Sequence, residues 1–145
     1  MFSKEEASLL RKEFWTSFGK SFPKKWLLYN TKIKGFSFKF DANRKNAMVC
    51  LDIDHPDEVA NELLFDQLLA LKTLLTNEYL SEVIFDDSFE LESGKKIHRI
   101  YVLHHKKFSI YNKNSWRECY EFFVESMNSF EDFFFEYEDF IKQAM

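Results

Sequence analysis

Glycine, proline and cysteine are scarce in this chain of 145 residues, which has 3 Gly, 2 Pro and 2 Cys. This scarcity excludes a collagenous or low-complexity chain. Two distant cysteines, Cys50 and Cys119, cannot form the disulfide framework of a small secreted domain and indicate reduced thiols. No GxGxxG or GxxxxGK[ST] motif occurs, and three glycines cannot build a phosphate-binding loop. The sequence therefore argues against nucleotide-dependent enzymes.

Long apolar runs are also missing. No run approaches the roughly 18 residues that span a bilayer. The first six residues, Met-Phe-Ser-Lys-Glu-Glu, are charged at once and lack the apolar core of a signal peptide. We therefore expect a cytoplasmic protein with no membrane partner.

Apolar and aromatic residues are plentiful, at 46% and 19% of the chain, and 18 residues are Phe. Such a composition supplies a hydrophobic core and excludes an intrinsically disordered chain. The length matches one domain, and no linker-like stretch interrupts it. We therefore expect a single domain over residues 1–145.

The charge is divided unevenly along the chain. Residues 1–50 contain 11 Lys and Arg against 4 acids, which gives +7, whereas residues 51–145 carry −11. Such asymmetry indicates an anionic partner for the basic half, or self-association through opposite patches. It also arises when the two halves pack together and partly neutralise each other.

Periodicity and turn signals predict five structural units. Ser3 and Glu6 have the spacing of a helix-capping box, as do Ser115 and Glu118. Gly94 suits a tight hairpin turn, and Pro56 suits the first position of a helix. The predicted units are a helix over 4–20, a hairpin with strands 36–40 and 47–54, a helix from Pro56 to about 80, a hairpin with strands 85–92 and 96–105, and a helix of about 30 residues from Ser115.

This order, αββαββα, predicts an α+β fold with a four-stranded, mainly antiparallel sheet packed by helices and a long C-terminal helix. In the strand 96–105, Ile100 and Val102 face one side, whereas Ile97, Tyr101 and Leu103 face the other. Apolar residues on both sides predict a central strand that is covered on both faces.

Five segments distributed over the chain have a recognisable sequence: KEFWTSFG (12–19), KGFSF (34–38), MVCLDI (48–53), KFSI (107–110) and FFFEYEDF (133–140). They resemble one group of bacterial proteins, the domain-of-unknown-function family numbered 4268, and the likeness runs nearly end to end. The resemblance implies a small bacterial protein without an established activity, loosely linked to DNA defence or repair because a similar domain follows a nuclease-like region in some relatives. It supplies no catalytic residue.

Chemistry-bearing motifs are weak, and we assign no catalytic, cofactor-binding or metal-binding residue and no cofactor. No CxxC or HxxxH spacing occurs. Asp52, Asp54 and Glu58 could together hold a magnesium ion for nuclease chemistry. Helix capping and a solvated strand face explain the same carboxylates. The sequence therefore favours a non-enzymatic protein, with a cryptic metal-dependent nuclease as a weaker alternative.

A basic segment mixed with aromatic residues gives a second hypothesis. Lysines neutralise phosphates and aromatic rings stack on bases, although no DNA-reading motif is present. The alternative function is thus a nucleic-acid-associated accessory domain. The candidate contacts are Lys24, Lys25, Lys32, Lys34 and Trp26.

The last helix supports a non-enzymatic protein that associates with itself. Residues 115–145 carry a net charge of −6, and a helix of about 45 Å overhangs strands of about 20 Å. Its distal aromatic residues therefore need other cover, for which a second copy is suited. We expect a self-associating protein-interaction module, a homodimer, whose candidate interface residues are Phe133, Phe134, Phe135, Tyr137 and Phe140.

Overall fold

A computed structural model of the chain describes residues 2–145. It confirms the predicted α+β architecture and the alternation of helices with hairpins. A short 3-10 turn over Lys113–Ser115 precedes the last helix. The elements are α1 (Lys4–Ser21), β1 (Phe36–Ala42), β2 (Ala47–Ile53), α2 (Glu58–Ala70), α3 (Lys72–Glu78), β3 (Ile84–Glu90), β4 (Lys96–Leu103) and α4 (Trp116–Lys142).

The four strands form one antiparallel sheet in the order β1-β2-β4-β3. In this register Lys39 lies beside Cys50, and Cys50 lies beside Tyr101. The predicted hairpin turn at Gly94 is confirmed, with a φ of +88°. A register shift between Asp86 and Phe89 bends the edge strand β3, because a bulge increases the local twist.

The helices pack against one face of the sheet, which we call the helix face. Phe38, Leu51 and Ile100 lie on this face as cross-strand neighbours and join the core formed with α1, α2, α3 and α4. The opposite face, which we call the open face, carries Arg99 and Tyr101 among others. The prediction that β4 is a central strand is confirmed, since it lies between β2 and β3. On the open face its buried residues Ile97 and Arg99 are covered by side chains such as Phe89, and no helix of residues 2–145 packs there.

The second predicted helix is divided and starts later than expected. α2 begins at Glu58, capped by the Asp57 carboxylate, which accepts a hydrogen bond from the Val59 amide at 2.9 Å. Pro56 therefore precedes the helix. The helix breaks at Leu71, whose amide bonds to the Leu68 carbonyl in a tighter turn at 3.0 Å.

The long C-terminal helix is present, but its start differs from the prediction. α4 has 27 residues, or about 40 Å at 1.5 Å per residue. Ser115 makes no capping bond there, because its hydroxyl oxygen accepts a hydrogen bond from the Ser109 amide while its proton is donated to the Asn112 carbonyl at 2.7 Å. The box at Ser3 and Glu6 on α1 is confirmed. Within residues 2–145, no helix is both long and apolar enough to traverse a bilayer.

His104, directly after β4, lies in an apolar contact beneath α4. Its ring is 4.9 Å from the Phe122 ring, and its Nε2 is buried without a hydrogen-bond partner among the described residues. Burial lowers the pKa of His104 despite the opposing charge of Glu118. The unfolded chain therefore binds a proton more readily than the folded chain, so stability falls as the pH drops below about 6.5.

We expect His104→Phe to stabilise the fold and to reduce its acid sensitivity. The substitution keeps a ring against Phe122 and removes a buried polar atom that costs about 1–3 kcal/mol. Urea unfolding at pH 7 and pH 5 checks both effects. The matched control is His105→Gln, since His105 is exposed and its pair with Glu82 lies at the surface, where such a pair contributes at most about 1 kcal/mol. An unchanged pH dependence in His104→Phe would contradict this account.

Candidate functional site

A buried ion network lies on the open face of the sheet. The Arg99 side chain, on the central strand β4, is fully buried. Its Nε and Nη2 donate to the two carboxylate oxygens of Asp52 on β2, at 2.7 and 2.9 Å. Its Nη1 donates to Asp41 at the end of β1, at 3.0 Å. One guanidinium therefore joins three strands.

Phe89 covers this network. The Arg99 guanidinium lies 4.3 Å from the centre of the Phe89 ring, and the register shift in β3 sets the position of that ring. Burial alone would lower the pKa of Arg99. The hydrogen bonds and charge of Asp52, together with Asp41, outweigh burial and raise the pKa of Arg99 above its ordinary value. The arginine is therefore a permanently charged structural centre.

Beside this network the open face forms a cleft of about 1150 Å³. We call it the open-face cleft. It exceeds the roughly 300–1,000 Å³ of typical small-molecule pockets. The cleft lies between two rims: one is the β1–β2 turn with Arg11 and Tyr111, and the other is the tip of the β3–β4 hairpin. The residues that line it are Arg11, Lys39, Asp41, Ala42, Asn43, Arg44, Lys45, Asn46, Met48, Phe89, Glu90, Leu91, Glu92, Ser93, Tyr101, Leu103, Ile110 and Tyr111.

One rim is basic and has a fixed backbone. The Asn43 side-chain oxygen accepts hydrogen bonds from the amides of Lys45 and Asn46, at 2.8 and 2.9 Å. The Asn43 carbonyl accepts a further bond from the Ile110 amide. This turn presents exposed Arg44 and Lys45 side chains. Hydrogen bonds within the chain therefore hold the backbone of this rim in place.

Arg11 and Tyr111 extend the basic rim beyond the sheet. Arg11 Nη1 on α1 donates to the Tyr111 hydroxyl at 2.6 Å. Lys39, exposed in the middle of β1, continues the basic side onto the floor. None of Arg11, Lys39, Arg44 and Lys45 forms an ion pair with any residue in the range 2–145.

The other rim is acidic. Glu90 and Glu92, at the end of β3 and in the following turn, line the cleft there. Tyr101 lies between the rims on β4, half-buried and 5.5 Å from the Phe89 ring in an edge-to-face contact. The cleft thus combines one basic side, one acidic side and aromatic rings on its floor.

The basic candidates predicted from the sequence lie elsewhere. Lys24 pairs with Glu131 of α4 at 3.6 Å and covers Trp26, which is half-buried against Phe40. Lys24 and Trp26 therefore have structural contacts within the chain. Lys25, Lys32 and Lys34 are exposed in the connector between α1 and β1, and the open-face cleft includes none of the five.

The interface candidates on α4 separate into two groups. Phe133 and Phe134 are buried within the chain, at 0% and 1% exposure. Phe133 packs against Tyr79 after α3, and Phe134 packs against the sheet. The expectation that these two rings need a partner was wrong, because α2 and α3 widen the surface on which α4 lies.

The remaining three interface candidates are less enclosed. Phe135 is 59% exposed, whereas Tyr137 and Phe140 are half-buried. The Phe140 carbonyl accepts a bond from Gln67 of α2 at 2.7 Å. Phe135 is thus the one ring of the five that projects into solvent.

The three carboxylates of the nuclease hypothesis are not gathered at one point. Asp52 is held by Arg99, and Asp54 pairs with Lys95 at 3.0 Å. Asp54 and Glu58 line a small separate cleft of about 210 Å³, to which Asp52 does not contribute. Across residues 2–145, no group of three or more His, Cys, Asp or Glu side chains is placed to hold a metal.

The two cysteines are free and buried. Burial raises the pKa of both thiols above its ordinary value. A thiol that stays protonated is a poor nucleophile. Cys50 and Cys119 therefore act as small apolar side chains.

Sequence reasoning missed Arg99 and the open-face cleft. The available signal was a permanent charge in the middle of an apolar strand, between Ile97 and Ile100. A buried charge requires a partner, and Asp52 has the matching strand position. The register and the approach of the β3–β4 hairpin were needed to place Asp41 and Phe89 beside it.

The fold and its cleft define an α+β domain with helices on one face of a four-stranded antiparallel sheet. Residues 10–138 match the family described as Domain of unknown function (DUF4268), and the chain belongs to this family. The predicted family membership is therefore confirmed. No curated protein and no solved structure matches the chain.

Proposed function

We propose that this protein is a non-enzymatic binding module that holds an anionic partner in the open-face cleft. The observation that supports the proposal is the collection of four unpaired cations, Arg11, Lys39, Arg44 and Lys45, around one concave surface. Among the basic residues of 1–50 that the structure describes, Lys24 is the one paired with an acid. Packing of the two halves therefore leaves most of the basic charge available.

The floor of the cleft favours binding over catalysis. Both Asp52 oxygens are occupied by Arg99, and Asp41 bonds to the same guanidinium. Groups that act as general acids or bases need access to the substrate and a pKa near the working pH. A network that is satisfied internally instead keeps the cleft in a fixed shape.

Retention on a heparin column tests the binding surface. We expect the protein to be retained at low salt. The double variant Arg44→Glu with Lys45→Glu should elute at a clearly lower salt concentration, because binding through fewer cations releases fewer counterions from the polyanion. The matched control is Lys25→Glu with Lys34→Glu, which changes the charge equally on the connector. Equal or larger loss in the control, or no retention of the parent protein, would refute the assignment to the cleft.

We also propose that the protein forms a homodimer through the distal part of α4. Support comes from the exposed Phe135 ring within an acidic stretch and from exposed Lys25, Lys32 and Lys34, which a second copy could present to it. Opposite charges would steer such an association. Its test is the mass in solution of the parent protein and of a Phe135 variant.

We further propose a cytoplasmic, bacterial setting, with a link to DNA defence or repair. The two free, buried thiols are compatible with a reducing compartment. The link to nucleic acid follows from the basic rim together with the resemblance of the chain to its family.

A further inference from the structure

We infer that the partner held in the open-face cleft is a single-stranded nucleic acid, with its phosphates along the basic rim and its bases over Tyr101. This inference rests on the proposed binding function of the cleft.

The cleft has the dimensions of a chain-binding groove. Strands of seven residues extend for about 23 Å at roughly 3.3 Å per residue. The register places the β1–β2 turn and the β3–β4 turn at opposite ends of the sheet, and residues from both turns line the cleft. The cleft therefore extends along the length of the open face. An extended polymer fills a groove of this length better than a small molecule does.

The cations follow a line along one side of this groove. Lys39 lies mid-strand on the edge strand β1, Arg44 and Lys45 lie at the turn, and Arg11 lies beyond it on α1. Positive grooves of this kind follow the backbone of a single strand without reading its sequence.

An aromatic ring lies across the sheet from the cations. Lys39, Cys50 and Tyr101 form one row, so Lys39 and Tyr101 are two strand spacings apart, or about 10 Å. This separation is one that a nucleotide spans between its phosphate and its base. Tyr101 is half-buried and supported by Phe89, which presents a rigid ring for stacking. Tyr111, at the basic rim, is a second half-buried ring.

The acidic rim selects against a duplex. A second phosphate backbone on the far side of the groove would meet Glu90 and Glu92. Repulsion of this kind discriminates between partners more sharply than attraction alone. The same rim repels an acidic peptide, which in addition lacks the flat rings that stack on Tyr101.

Fluorescence anisotropy with labelled oligonucleotides of about 16 nucleotides, the upper site size of single-strand-binding folds, tests the inference. We expect single strands to bind at least about tenfold tighter than the matched duplex, because of repulsion at the acidic rim. Polyglutamate of equal length should compete poorly. Arg44→Gln with Lys45→Gln should flatten the salt dependence of single-strand binding by about 1.4 logarithmic units per decade of salt, from two lost phosphate contacts.

Substitution of the floor ring separates stacking from charge. Tyr101→Leu should weaken single-strand binding by roughly 5- to 100-fold, whereas Tyr101→Phe should restore it. Tyr29→Leu is the matched control, since Tyr29 is exposed in the connector. Circular dichroism checks that each variant is folded.

The outcomes distinguish the two proposals. Equal or tighter duplex binding, equal competition by polyglutamate, or an unchanged affinity in folded Tyr101→Leu would overturn the single-strand assignment while heparin retention through the cleft persists. Loss of heparin binding, or its dependence on the connector lysines, would overturn the binding cleft itself.

Discussion

Asp52→Ala is expected to destabilise the fold by about 3–5 kcal/mol, because it leaves the fully buried Arg99 guanidinium without its main partner. Asp41 supplies one remaining hydrogen bond, which cannot replace the two-bond contact with Asp52. Urea unfolding followed by circular dichroism measures the loss.

Asp54→Ala is the matched control for this prediction. Asp54 lies two residues after Asp52, directly beyond β2, and its pair with Lys95 is solvent-exposed, so its loss should cost only about 0–1 kcal/mol. The double variant Asp52→Leu with Arg99→Met should recover much of the stability, because it removes both charges together. A similar cost for Asp52→Ala and Asp54→Ala would show that Arg99 does not depend on Asp52.

This contrast has a consequence for any nuclease assay. Loss of activity in Asp52→Ala would follow from unfolding as readily as from lost metal binding. Asp54→Ala and Glu58→Ala, both at exposed positions, therefore give the cleaner reading of the metal hypothesis.

The fold was predictable from local signals because its elements are strongly patterned. The alternation of Phe36, Phe38 and Phe40 defined β1 and its buried side, and Gly94 defined the second hairpin turn. The order of the strands was not predictable, since hairpins fix pairing only within each hairpin. Pairing of β2 with β4 depends on contacts distant in sequence, such as Asp52 with Arg99.

The cleft was less predictable than the fold. It requires knowing that the helices occupy one face and that the β3–β4 hairpin approaches the other, and neither follows from periodicity. Tyr101 is apolar enough to suggest full burial, whereas it is half-buried and lines the open-face cleft. For the same reason, nothing in the sequence separated Arg44 and Lys45 from the connector lysines of the same basic segment, and the candidate contacts named from it were connector residues.

Phe134→Glu is expected to abolish folding or to cost more than about 4–5 kcal/mol. Phe134 is buried against Phe36 and Phe38, and truncation of such a ring to alanine already costs about 3–5 kcal/mol. A carboxylate at this position adds the penalty of burying an unpaired charge. Urea unfolding and the dispersion of the amide NMR spectrum measure the effect.

Phe135→Glu, one residue further along α4, should leave the fold intact, within about 0.5 kcal/mol as for other surface substitutions. This variant isolates self-association, because its ring is exposed in the monomer. We expect light scattering to give a dimer for the parent protein and a monomer for Phe135→Glu, since burying a large ring contributes about 1.5–3 kcal/mol per copy. Leu9→Glu, at an exposed position on α1, is the control that should stay dimeric. A parent protein that remains monomeric at high concentration, or a dimer that survives Phe135→Glu, would exclude the distal part of α4 as an interface.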